Sequence, residues 1–275
     1  MQYIPFFHTF ANMKRAIVVG ASSGIGRQVA QLLIQGGWHV GMAARRIDTL
    51  NELKKIAPER IYTRQIDINK EEATEQLSEL INDLGGLNLY FHAAGIGWQN
   101  PALDESRELQ TVETNTGGFT RSIGVAFRYF ASHAGGHIAA ITSVAGTKGL
   151  GPAPSYSASK AFQTTYIQAL EQLSHSRNLH IRFTEIRPGF VNTPLLFPEE
   201  HTQQNTESDE SNGIVLHEDT IKKYPLLLSS QYVAKRIVKA LYWRRRTVII
   251  DWRWKLITRL WRCIPNCIWK HMRLE

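Results

Sequence analysis

Short apolar runs and helix-period segments alternate along most of the chain. Residues 16–19 are apolar at successive positions, the pattern of a strand covered on both faces, and 38–44, 61–66, 87–93, 136–142, 180–186 and 247–250 read as further extended segments. Between them, 27–35, 48–57, 70–84, 105–131, 154–176, 229–243 and 252–263 repeat apolar residues at helical spacing and predict helices. This rhythm predicts an α/β fold, a parallel sheet of about seven strands with helices on both faces. Asn115 falls inside the long predicted helix, where an asparagine is ordinarily tolerated on the solvent side.

The first strand runs into a glycine-rich turn, Gly20-Ala-Ser22-Ser23-Gly24-Ile25-Gly26, and then into a helix. Glycines let the backbone approach phosphates, and the helix N-terminus offers N–H donors at the positive end of its dipole. Strand, turn and helix in this order predict a Rossmann-type doubly wound sheet that binds a dinucleotide pyrophosphate; an N-cap turn without a ligand is the plainer alternative. The second strand ends in Ala44-Arg45-Arg46. An acid there would bind a ribose 2′-hydroxyl, whereas two guanidiniums suit a 2′-phosphate by charge and fork geometry. The expected cofactor is therefore NADP(H), with NAD(H) left open. Asp67, after the third strand, could accept from an adenine amino group or cap the next helix. His92-Ala-Ala94-Gly95 closes the fourth strand with another close-approach glycine.

Tyr156 and Lys160 stand four residues apart at the start of a helical pattern, so their side chains share a face. An ammonium near a phenol favours the phenolate and lowers the tyrosine pKa, which suits proton transfer near neutral pH. Taken alone, such a pair is more often surface decoration. Ser143 ends the fifth strand at the sheet edge where ligands sit, and Arg187-Pro188-Gly189-Phe190-Val191-Asn192-Thr193 follows the sixth.

These motifs together resemble the short, single-domain branch of the short-chain dehydrogenases/reductases over roughly residues 14–194. The resemblance implies hydride transfer between a nicotinamide cofactor and a carbonyl/alcohol pair. Tyr156 would be the general acid/base, Lys160 would tune it and hold the nicotinamide ribose, Ser143 would bond the carbonyl oxygen, and Asn115 would carry a relay water. Gly20, Ser22, Ser23, Gly24, Ile25 and Gly26 would line the pyrophosphate loop, with Arg45, Arg46 and Asp67 on the adenosine side. Ala94, Gly95, Pro188, Gly189, Val191 and Thr193 would border the cofactor further along. Two positions depart from the family pattern: HAAG replaces NNAG, and Val19 stands where a threonine often precedes the first glycine. The same resemblance implies a dimer or tetramer through the helices at 105–131 and 154–176. A cofactor-sensing or scaffold protein without catalysis is the alternative on the same fold.

Composition refines this picture. The chain has 275 residues and a net charge of +8, but residues 235–275 carry twelve Lys/Arg against two acids, leaving −2 for residues 1–234. Five of the seven tryptophans lie in the same tail. The expected organisation is an N-terminal extension at 1–13, a catalytic domain at 14–251 and a basic amphipathic extension at 252–275; Met13 would also serve as a start. Residues 195–230 take the place of a substrate loop, with a polar stretch at 201–220. Trp98, Leu150, Leu195, Leu196 and Phe197 are candidates for an apolar wall around the small-molecule carbonyl/alcohol substrate and suggest an apolar or bulky carbonyl compound. In the tail, Trp254, Ile257, Trp261 and Ile264 form a stripe that would pack on the body, on a partner subunit or on an anionic membrane surface. No groove-reading motif accompanies the charge, so nucleic acid is not expected. Cys263 and Cys267 lack the second ligand pair of a zinc site and read as packing residues in a reducing, cytoplasmic setting, with no metal.

Overall fold

The computed structural model describes residues 15–197 and 224–272; the expected N-terminal extension and the polar stretch at 201–220 lie outside them. Seven parallel strands form one sheet: β1 (Arg15–Val19), β2 (His39–Ala44), β3 (Ile61–Gln65), β4 (Leu89–His92), β5 (Gly136–Ile141), β6 (Ile181–Arg187) and β9 (Thr247–Ile249). Their order is β3-β2-β1-β4-β5-β6-β9. The chain winds outward from β1 in one direction and from β4 in the other. The reversal between β1 and β4 opens a crevice at the strands' C-terminal ends, the place where such sheets bind ligands.

Alternation of side chains along each strand feeds two cores. Ala16 and Val18 of β1 face α1 (Gly24–Gln35), α2 (Ile47–Lys54) and α7 (Ser230–Tyr242). Ile17 and Val19 face α3 (Ala73–Asp83), α5 (Phe119–Ala131) and α6 (Pro154–Ser176). Burial of β1 on both sides explains the unbroken apolar run at 16–19. A short parallel pair, β7 (Val191–Asn192) and β8 (Leu228–Ser229), ties the turn after β6 to the start of α7.

The helix expected over 105–131 is interrupted. It consists of α4 (Glu105–Val112), a π-helical turn (Glu113–Gly118) and α5. The wider turn rotates Asn115 inward, where it is fully buried instead of facing solvent. Gly118 lets this turn lie against β3's exit, since a Cβ there would come within 2.8 Å of Ile68 Cγ1.

The C-terminal segment folds back on the body as α8 (Trp252–Cys263) and α9 (Asn266–Trp269). Asp251 caps α8 by accepting from Arg253 N at 2.9 Å. Trp254, Ile257, Thr258, Trp261 and Ile264 point toward the body, so the stripe read from the sequence is internal packing. The two cysteines do not pack; both lie on the outer side of these short helices and are exposed. No described helix is long and apolar enough to cross a membrane.

Candidate active site

The crevice begins at the glycine turn. Gly20 and Gly24 take φ of +86° and +53°, backbone that side-chain-bearing residues rarely adopt. Gly20 also lies under the fourth strand's exit, where a Cβ would come within 2.5 Å of Ala94 N. A Cβ on Gly26 would fall 2.2 Å from Gly20 O. Ser23 stands at the N-cap of α1 without capping it through its side chain, and Ile25 packs at the core's edge. Arg46 reaches over the turn and donates to Ser22 Oγ at 3.2 Å. The donor set here is the first amides of α1 beside a guanidinium, chemistry suited to phosphates.

The residues expected on the adenosine side divide. Arg45 and Arg46 are exposed at the end of β2, and Gln65 Nε2 donates to Arg45 O at 2.9 Å. Asp67 uses Oδ1 to accept from Asn69 N at 3.1 Å, so its carboxylate organises its own turn.

The opposite side of the crevice is brought over the glycine turn by the segment after β6. Thr193 packs on Gly24, and its hydroxyl donates to Val191 O at 3.3 Å. Pro188 O accepts from Val144 N at 3.1 Å, which fixes that segment to the one carrying Ser143.

The centre is formed by α6. Lys160 is buried, and its Nζ donates to Ile141 O at 3.2 Å and to Gln163 Oε1 at 3.1 Å. Burial pushes its pKa down to about 7. Its Nζ lies 5.7 Å from the centre of the Tyr156 ring. Part of that ring remains accessible, but withdrawal of the hydroxyl from water pushes its pKa up, and a hydrogen bond with Ser143 acts in the opposite direction. The expectation that Lys160 pulls the phenol down is thus reversed by burial, which acts on both members of the pair. Ser143 Oγ also accepts from Ala145 N at 3.0 Å. Gly97 lies flat against the tyrosine; a Cβ there would be 2.2 Å from Tyr156 Cδ2.

Asn115 is a structural hub. Its amide accepts from Ile96 N at 3.0 Å and donates to Ile96 O at 2.7 Å and Ser159 Oγ at 3.0 Å. Its own backbone carbonyl accepts from Gln163 Nε2 at 2.9 Å. Gly95 sits above both partners, 3.1 Å from Asn115 Oδ1 and 3.4 Å from Lys160 Nζ by its ideal Cβ.

Several residues of the site were not read from the sequence. Gln163 lies three residues beyond Lys160, a helical spacing that could have revealed it. Glu108 accepts from Ser155 N at 3.1 Å and Asn100 Nδ2 at 2.7 Å, pinning the start of α6 beside Tyr156. Glu185, within β6, is fully buried. Burial raises its pKa, but Arg187, Thr164 and Thr142 donate to it and hold it below the usual carboxylate range. His92 is buried against Phe119 at a ring distance of 4.9 Å, and burial together with the Lys160 charge lowers its pKa to about 3. It is a neutral packing residue, which accounts for how the chain tolerates histidine in that turn.

The tail completes the rim. Trp254 occupies the space over Gly189, where a Cβ would be 2.1 Å from its ring, and packs edge-on against Phe190. Trp261 Nε1 donates to Thr147 Oγ1 at 2.8 Å, Trp269 Nε1 to Gly149 O at 2.8 Å, and Lys148 Nζ to Ile264 O at 2.8 Å. Phe197 is drawn into the same aromatic chain through Tyr224, whereas Trp98 and Leu195 remain exposed.

Residues 14–204 match the short chain dehydrogenase family. The chain belongs to that family. It is an oxidoreductase of the kind that interconverts CH–OH and C=O groups. An uncharacterized oxidoreductase of Myxococcus xanthus is 34% identical over 188 residues, 66% of this chain and 74% of the relative. A glycine betaine reductase of Emericella nidulans is 32% identical over 83% of this chain, although the match takes up only 17% of that much longer protein. Among solved structures, a short-chain dehydrogenase of Burkholderia cenocepacia in complex with NADP superposes with a TM-score of 0.73 at 18% identity, covering 96% of this chain and 98% of the other. An actinorhodin polyketide ketoreductase with NADPH gives 0.69 at 23% identity, covering 86% and 95%. At these identities the structural likeness speaks for the fold.

Proposed function

We propose that this oxidoreductase uses NADPH to reduce an apolar ketone or aldehyde. The observation that carries the proposal is the Ser143–Tyr156–Lys160 cluster: two hydroxyls close enough to influence each other's protonation, beside a buried ammonium. A nicotinamide cofactor, when bound, supplies the hydride. The glycine turn, the uncapped start of α1 and Arg46 hold its phosphates, and the Arg45–Arg46 pair favours a 2′-phosphate over a bare hydroxyl.

Ser143 and Tyr156 then donate to the substrate oxygen as negative charge develops on it. Tyr156 delivers the proton. The ammonium of Lys160, protonated to a useful fraction near its pKa of about 7, favours the phenolate left behind. Of its three N–H donors, two are spent on Ile141 O and Gln163 Oε1, which leaves one for the phenol or the ribose. Trp98, Leu150 and Leu195 supply apolar surface near the mouth, in keeping with an apolar carbonyl compound.

Exposed Leu109 and Val112 on α4 and Phe162 on α6 support assembly into a dimer or tetramer through these helices. A cofactor-binding sensor without turnover has no use for the Ser143–Tyr156 pair. Reduction of a ketone panel with NADPH by wild type and Tyr156→Phe decides between the two: turnover that survives the substitution removes Tyr156 as the acid, and NADPH binding without turnover in wild type favours the sensor.

A further inference from the structure

Helix α8 is apolar on two sides, and only one of them is used. Trp254 and Thr258 are buried, with Ile257 and Trp261 half-buried against the body. On the other side Trp252, Leu256 and Leu260 follow one another at four-residue spacing and are 72%, 50% and 59% exposed. Ile268 and Met272 continue the exposed apolar surface beyond Pro265.

The strip beside this ridge is cationic. Lys255, Arg259 and Arg262 lie along it at helical spacing, all exposed and in no ion pair among the described residues. No acidic residue occurs between Asp251 and Glu275. A helix held parallel to the protein surface, with a bulky apolar ridge next to a row of unpaired cations, has the layout of an interfacial helix on an anionic leaflet. A second copy of the chain is a poor occupant, because a two-fold pairing of this face would set like-charged strips against each other.

We propose that the outward face of α8 docks this enzyme on membranes that carry anionic headgroups. Trp252, Leu256 and Leu260 enter the interface, and Lys255, Arg259 and Arg262 contact the headgroup phosphates. The inner face of the same helix stays locked on Gly189, Phe190 and Thr147, so docking needs no unfolding of the tail.

Flotation of the full chain with phosphatidylcholine vesicles, with and without phosphatidylserine, tests this. Partition is expected with the anionic vesicles, to fall about tenfold or more in L256Q/L260Q and in K255Q/R259Q/R262Q, and to weaken as salt is raised. All substituted positions are on the outer side, so thermal unfolding and circular dichroism are expected to match wild type, which separates lost docking from lost fold. The idea is overturned by absence of partition to anionic vesicles, or by equal partition of wild type and L256Q/L260Q. It is also overturned if light scattering shows an oligomer that L256Q/L260Q splits while no form binds vesicles. None of these readouts depends on the substrate or on turnover.

Discussion

Gln163 bridges Lys160 and Asn115: its Oε1 accepts from Lys160 Nζ at 3.1 Å while its Nε2 donates to Asn115 O at 2.9 Å. The amide is fully buried and therefore cannot exchange these partners for water without cost. A carbonyl oxygen fixed 3.1 Å from the buried ammonium stabilises its charged form in a place where burial opposes charge.

Gln163→Leu removes that acceptor and leaves Asn115 O without its donor. Hydrogen bonds to charged groups contribute about 1.5–3 kcal/mol, so kcat is expected to drop by roughly 10–100-fold. The sign of the pH effect is fixed. Without the acceptor, the Lys160 pKa moves further below its value of about 7, so protonated enzyme is found only at lower pH. Gln163→Glu moves it upward. The kcat profile for ketone reduction between pH 5 and 9 checks both; coincident profiles in the three enzymes would refute the bridge's role.

The contrast between Gln163 and the glycine turn shows what was legible in the chain. The strands, the turn at Gly20–Gly26 and the Tyr156–Lys160 pair are local patterns, and each is found where its spacing places it. The inward rotation of Asn115 depends on a π-helical turn whose reward lies at Ile96 and Ser159, far along the chain, so helical periodicity alone placed it in a continuous helix. The downward shift of Lys160 and upward shift of Tyr156 arise from burial, a property of the packed site. In the tail, the Trp254 and Trp252 ridges obey the same period, and the fit of Trp254 over Gly189 with the Trp261–Thr147 hydrogen bond distinguishes inside from outside.

His92 makes the fold acid-sensitive. Its native pKa of about 3 lies below the ordinary histidine value of 6.5, so from pH 6.5 downward the unfolded chain binds a proton that the folded one refuses. Stability is intact above pH 6.5 and is lost as pH falls toward 3; His137, lowered to about 4 by burial, adds in the same direction. At pH 4.5 the share of His92 is about 2–3 kcal/mol. His92→Asn is expected to lose less unfolding free energy between pH 7 and 4.5 than wild type, whatever its stability at pH 7. Equal losses in urea titrations at the two pH values would show that His92 does not titrate on unfolding.

Arg46 is held over the glycine turn by Ser22. If it meets a 2′-phosphate, Arg46→Ala gives up a charge-assisted bond of about 1.5–3 kcal/mol, and KM for NADPH is expected to rise by roughly 10–100-fold while KM for NADH changes little. Parallel rises with both cofactors would place Arg46 at the pyrophosphate instead.

Gly189 and Trp254 are expected to behave as one unit. The backbone at Gly189 does not have the positive φ that demands glycine, so the restriction is steric: a Cβ would meet Trp254 Cε2 and Nε1 at 2.1 Å. Gly189→Ala therefore costs about 1–3 kcal/mol by forcing α8 outward. It also disturbs Pro188, whose carbonyl holds Val144 beside Ser143, so KM for the ketone is expected to rise. Trp254→Leu alone leaves a void over the turn and costs about 2–4 kcal/mol. In the double variant the smaller side chain accommodates the new methyl, and the combined loss is expected to fall short of the sum by about 1 kcal/mol or more. Thermal and urea unfolding of the four proteins completes the cycle; strict additivity would mean that the tail does not bear on the turn beside Ser143.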